Sequence, residues 1–149
     1  MADTGIDQRP AVDFRRTYSA PPERVWQAWT DPEALKQWFS PDPTGVVELA
    51  DLDVRVGGHF RIRVRTSDDV HDVSGIYQEV DPPSRLVFTW AWKSTPERVS
   101  LVSVQIAPIA EGTQLHFRHE QFFDEKARDD HSKGWTVVFA RLAHFIDGR

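Results

Sequence analysis

The chain has 149 residues, 40% hydrophobic and 28% charged, which suits one globular domain with a substantial core rather than a disordered polymer. A formal net charge of −5 weighs against general nucleic-acid binding, which needs cations against phosphate; the absence of cysteine removes disulfides, thiolate nucleophiles and thiolate metal sites together. No apolar run approaches the roughly 18 residues of a membrane span, and the opening "MADTGIDQRP" lacks an apolar signal core, so a cytoplasmic protein is expected.

Residues 1–10 are polar, carry Gly5 and Pro10, and read as a flexible tail before a single domain over residues 11–149. "AVDFRRTYS" places Val12, Phe14, Arg16 and Tyr18 at alternate positions, the period of a strand. "APPERVWQAWT" changes period: Pro22 suits a first helical turn, and Val25, Trp26 and Trp29 fall at helical spacing. In "TDPEALKQWF" a second helix starts, with Asp31 as N-cap, Pro32 at the first helical position, and Leu35, Trp38 and Phe39 as its apolar stripe.

From Gly45 to Gln121 the pattern is that of strands. "GVVELADLDV" leads to a turn at Gly57-Gly58, and "HFRIRVR" then alternates Phe60, Ile62 and Val64 with Arg61, Arg63 and Arg65. That is a strand with one dry face and one wet face. "VHDVSGIYQEV", "RLVFTWAWK", "RVSLVSVQIAPI" and "QLHFRHEQF" follow, joined mostly by short turns, which favour antiparallel neighbours. In "GWTVVFARLAHFI", Trp135, Val138, Phe139, Leu142, Phe145 and Ile146 share one wide helical face. The preceding "DEKARDDHSKG" is dense in both charge signs and reads as a solvated loop and first helical turn, or as a mobile gate.

Seven antiparallel strands, two short helices after the first and a long C-terminal helix give an α+β fold. In it a curved sheet wraps the helix that covers its dry face. The segments "APPERVWQAWTDPEALKQWF", "VGGHFRIRV", "GIYQEVDPPSRLVFTW" and "GTQLHFRHEQF…GW", in this order, resemble the successive signatures of the bacterial heat-shock-protein ATPase-activator homologues (Aha-type). The resemblance covers about residues 12–147. It implies the helix-grip fold, START-like and Bet v-like, of the SRPBCC superfamily, with a hydrophobic cavity between sheet and long helix. It does not imply one function, because superfamily members include lipid carriers, polyketide cyclases and hormone receptors. The family name derives from a eukaryotic co-chaperone domain, and with it a stress-response link.

Taking the apolar parity of each strand as inward, the cavity walls are expected from Phe60, Ile62, Val64, Tyr77, Phe88, Trp90, Trp92, Val104, Phe117 and His119. Trp135 and Phe139 face them from the long helix, and Trp38 and Phe39 close the opening. The same residues could equally fill a core. Phe88 and Trp90 are the leading wall candidates, with Trp92 at the rim. Arg16 and His119 break the inward parity on the first and last strands, which adjoin in a helix-grip topology. They are candidate polar anchors for a ligand carbonyl or carboxylate, or members of a structural hydrogen bond. Glu79 shares the parity of Tyr77 and is a candidate partner for Arg16, or a rim residue.

Catalytic signals are weak. There is no Gly-x-Ser-x-Gly elbow, and Gly57-Gly58 is not followed by the Lys-Ser/Thr and helix of a phosphate loop. The six histidines lack ligand spacing; His116 and His119 point to opposite faces of a strand, so neither a metal nor a cofactor is expected. The leading reading is a carrier or sensor of a small hydrophobic, lipid- or polyketide-like molecule, compatible with a homodimer. A cyclase- or hydrolase-type enzyme using His119 and Arg16 is one alternative, though no second acid or base is evident. A protein-interaction module acting on a chaperone is the other. It would use an outer surface, and the arginine strip Arg61, Arg63 and Arg65 is either such a docking surface or simply solvated.

Overall fold

The computed structural model describes residues 9–148, so the tail expected over residues 1–10 lies almost wholly outside the described residues. The elements run β1 (Val12–Tyr18), α1 (Pro22–Thr30), α2 (Pro32–Leu35), β2 (Val46–Leu52), β3 (His59–Arg65), β4 (Val70–Asp81), β5 (Arg85–Trp92), β6 (Ser100–Ile109), β7 (Gly112–Glu120) and α3 (Glu125–Asp147). All seven strands form one antiparallel sheet in the order β1-β7-β6-β5-β4-β3-β2. Only the β1–β7 pairing joins strands distant in sequence, and it brings the chain's first strand beside its last. The sheet curls around α3, the helix-grip arrangement.

Alternation dictates which face is buried. In β3, Phe60, Ile62 and Val64 are buried against the helix side. Arg61, Arg63 and Arg65 point outward and meet carboxylates from the flanking strands: Arg61 to Asp72 at 2.7 Å, Arg65 to Glu48 at 2.6 Å and Arg63 to Glu48 at 3.4 Å. The arginine strip is therefore a lattice of surface ion pairs, screened by solvent.

Helices α1 and α2 meet at Asp31. Its backbone N–H bonds Gln27 O at 2.9 Å to close α1, and its carboxylate accepts from the Glu33 N–H at 3.1 Å to open α2. The single turn of α2 continues as turns that bury Leu35, Trp38 and Phe39 under the sheet. The Trp38 indole N–H donates to Ala28 O at 3.0 Å, tying the second helix to the first.

Helix α3 begins well before the apolar segment that marks it in the sequence. Asp124 accepts from the Ala127 N–H at 2.8 Å as N-cap, and Lys126 pairs with Asp130 at 2.9 Å, one turn on. Residues 124–134 are thus a helix cap and helical turns, not a gate or a loop. At 23 residues α3 is about 34 Å long and reaches across the sheet. Its Trp135 and Phe139 rings pack against Phe117 of β7, tilted and edge-on, at centroid distances of 4.5 and 5.0 Å. The helix ends at Gly148, whose φ of 73° is the left-handed conformation of a helix C-terminus.

Candidate functional site

Rings fill most of the space between sheet and helix. Opposite Phe88, where Phe60, Ile62, Tyr77 and Trp29 converge, the remaining void is only about 20 Å³. Space remains at one end, where β5 passes the first half of α3. A cavity of about 320 Å³ there is walled by Phe39, Trp90, Trp92, Trp135 and Val138, with Pro41 and Gly134 completing the apolar lining. Its polar groups are His71, Asp130 and His131. A second cavity of about 210 Å³ lies under the β5–β6 connection, lined by Ser100, Phe122, Phe123 and Ala127 among others. Trp90, Trp92, Asp130 and His131 line both cavities and so form the wall between them.

Two Trp–His hydrogen bonds build this region. The Trp135 indole N–H donates to His119 Nδ1 at 3.0 Å. The proton of neutral His119 must then sit on Nε2, which reaches Ser100 Oγ at 2.7 Å. Ser100 in turn donates to Trp90 O at 3.3 Å. His131 takes the opposite tautomer. Its Nδ1–H donates to Ala127 O at 2.7 Å, leaving Nε2 to accept from the Trp92 indole N–H at 2.8 Å. Burial, reinforced by the His131 ring beside it, holds His119 well below the usual imidazole pKa. Burial likewise lowers His131, against the upward pull of its bond to Ala127 O and of the Asp130 charge. Both rings are neutral at pH 7, and both ring nitrogens of each are engaged.

The structure separates the residues expected to form one site. Phe39, Trp90, Trp92 and Trp135 line the larger cavity. Phe60, Ile62, Tyr77 and Phe88 surround the small void, so Phe88 packs in the core and does not line the cavity beside Trp92. Trp38, Val64, Val104 and Phe117 are buried in the same core, and Phe139 lines, with Arg15, Arg16 and Gln114, a cleft of about 530 Å³ between β1 and α3. His119 is fully buried behind Trp90 and Trp135 and lines none of these cavities.

Arg16 does not meet His119. In the β1–β7 register His119 stands opposite Val12, whereas Arg16 stands opposite Leu115 at the other end. Its exposed guanidinium lies over the rings of Phe14 and Phe139, at 4.8 and 5.7 Å. Glu79 is also displaced from the interior. A bulge in β4 between Tyr77 and Glu79 reverses the parity, so Tyr77 is buried while Glu79 turns outward to pair with Arg85 at 2.5 Å.

Two residues of the hydrogen-bond network, His131 and Ser100, lie outside the sequence-based set. His131 precedes Trp135 by four positions and continues the apolar stripe of α3, a signal hidden by the charged residues around it. Ser100 gives no signal in the sequence; it matters because it is buried against His119. Chemically the site offers aromatic faces, the Trp92 N–H paired with the His131 imidazole, a buried Trp90 N–H that has no partner among the described residues, and a carboxylate at the edge. Among the described residues, no cluster of three His, Asp or Glu side chains could hold a metal ion, and no helix is long and apolar enough to cross a membrane.

Residues 19–147 match the family described as "Activator of Hsp90 ATPase homolog 1-like protein". None of the curated proteins matches the chain. Among solved structures, a protein of Chromobacterium violaceum superimposes with a TM-score of 0.83 at 28% identity, covering 92% of this chain and 97% of the other. The AHSA1 protein of Silicibacter pomeroyi gives 0.80 at 26% identity, with 90% and 95% covered. An AHSA1-like protein of Aeromonas hydrophila, at 19% identity, shares the fold with a TM-score of 0.78 over 92% of each chain.

Proposed function

The chain belongs to the family of proteins like activator of Hsp90 ATPase homolog 1, and on that premise we propose that it binds a small apolar molecule in the cavity between β5 and α3. The observation that carries this reading is the cavity of about 320 Å³ walled by Phe39, Trp90, Trp92, Trp135 and Val138. Its size lies at the lower end of the range for small-molecule sites, and its lining is the mostly apolar surface with few polar groups that such sites present. A cyclase or hydrolase using His119 and Arg16 has no support in this geometry. Arg16 sits at the far end of β1, and both nitrogens of His119 are already bonded to neighbours.

Gly134 gives the test. It lines the cavity from α3, and an added Cβ there meets only the Pro41 side chain, at 3.4 Å. Gly134→Leu therefore projects a branched side chain into the space a guest would occupy. Equilibrium dialysis against a panel of apolar and aromatic compounds is expected to show one guest retained per chain by the native protein and none by Gly134→Leu. Retention of no compound by the native protein, or equal retention by the variant, would sink the reading.

A further inference from the structure

The wall between the two cavities has chemistry of its own. Trp90, Trp92, Asp130 and His131 line both spaces, and the Trp92 N–H to His131 Nε2 bond at 2.8 Å crosses this wall. A guest longer than the larger cavity can extend into the smaller one by parting that bond. Parting it exposes one donor and one acceptor side by side, in a partly buried setting where neither readily finds another partner.

The acceptor cannot adapt by changing tautomer. His131 Nδ1–H is committed to Ala127 O at 2.7 Å within the helix, so Nε2 keeps its lone pair towards Trp92. A hydrocarbon entering the gap leaves both groups unmet. A carbonyl accepts from Trp92 but leaves His131 Nε2 facing a second acceptor. A carboxylate has the same fault and also meets the charge of Asp130, which borders both cavities. A hydroxyl answers both groups, accepting from Trp92 Nε1–H and donating to His131 Nε2.

We propose that the protein selects an elongated, neutral, apolar guest carrying a hydroxyl between two hydrophobic ends, and that this hydroxyl inserts between Trp92 and His131 while each end occupies one cavity. This rests on the apolar-guest reading of the larger cavity and adds to it the ligand class and the residues that select it.

Diphenylmethanol, benzophenone and diphenylmethane have nearly the same shape and differ only at the central carbon: hydroxyl, carbonyl or methylene. Equilibrium dialysis of the intact chain at pH 7.5 is expected to show the alcohol held about ten-fold or more tighter than either analogue, the discrimination that one unmet buried polar group supplies. In W92F and H131F the ratio of alcohol to hydrocarbon affinity is expected to fall towards one, whatever the absolute affinities. Equal retention of the three compounds by the native protein overturns the hydroxyl-selecting wall and leaves the apolar-guest reading standing. Retention of none of them, when other apolar compounds bind, also overturns it. The native comparison decides the matter without the variants, so their failure to fold would not rescue the proposal.

Discussion

His119 and His131 are acceptors for indole N–H groups, and an imidazolium has no lone pair to offer. Protonating either ring would set N–H against N–H at a contact of 3.0 or 2.8 Å. Both pKa values are accordingly lowered in the fold, first by burial. In the unfolded chain these histidines regain a pKa near 6.5. Below that pH the unfolded state binds protons that the native state refuses. Their contribution is therefore complete above about pH 6.5 and is lost as pH falls towards the folded pKa values. The slope is up to about 1.4 kcal/mol per pH unit for each ring. The carboxylates act in a separate window: Asp72, bonded by Arg61, and Glu48, bonded by Arg65, are held below their ordinary values and lose their contribution only below about pH 4.5. Urea midpoints measured at pH 7.5, 6.5 and 5.5 should fall steadily across the last interval, and His131→Phe should reduce that fall. A flat profile from 7.5 to 5.5 would mean that the rings protonate in place. Among single residues, His119 was legible in the sequence as a polar break in an apolar strand face, but its partners were not. Ser100 and Trp135 reach it from other elements, and nothing along the chain encodes that meeting.

At the scale of elements, α3 shows how local sequence and tertiary role can pull apart. Gly134 sits in the middle of the helix, where glycine is about 1 kcal/mol worse than alanine. A methyl group there would meet only Pro41, at an ordinary contact distance of 3.4 Å. Gly134→Ala should therefore stabilise the protein by about 0.5–1 kcal/mol in urea unfolding; a destabilised variant would show that the Pro41 contact cannot yield. The gain would come with a smaller cavity, since Gly134 lines it. The strands were readable from their alternation, and β3 follows it without exception. The bulge of β4 was not, because Tyr77 to Glu79 keeps a regular period in the sequence and the extra residue appears only in the pairing with β5. The start of α3 was obscured for a different reason. In its first turns Ala127 is the one hydrophobic residue packed against the core, too little apolar character to show a helical period among so many charges.

For the whole molecule, the sequence order of strands and helices was enough to give the grip of sheet on helix, because few topologies let seven short-linked strands bury one face against one long helix. Where the grip leaves space is a matter of ring volumes, invisible in any one segment. Phe60, Tyr77 and Phe88 close ring on ring at centroid distances of 5.1–6.0 Å, whereas between His131 and Trp135 the helix presents Gly134, which has no side chain to fill the space, and the interior stays open. A guest filling that opening binds the folded chain and not the unfolded one, so binding must appear as stability. At a free concentration of one hundred times its dissociation constant it adds about 2.7 kcal/mol. For a domain of this size, at roughly 2–4 °C per kcal/mol, the unfolding midpoint should rise by roughly 5–11 °C. Thermal unfolding followed by tryptophan fluorescence is the measurement, and the rise should grow with the logarithm of guest concentration above saturation. In Gly134→Leu the same guest should leave the midpoint unmoved, because the leucine side chain already holds the space. A rise of equal size in the variant would place the guest elsewhere on the fold.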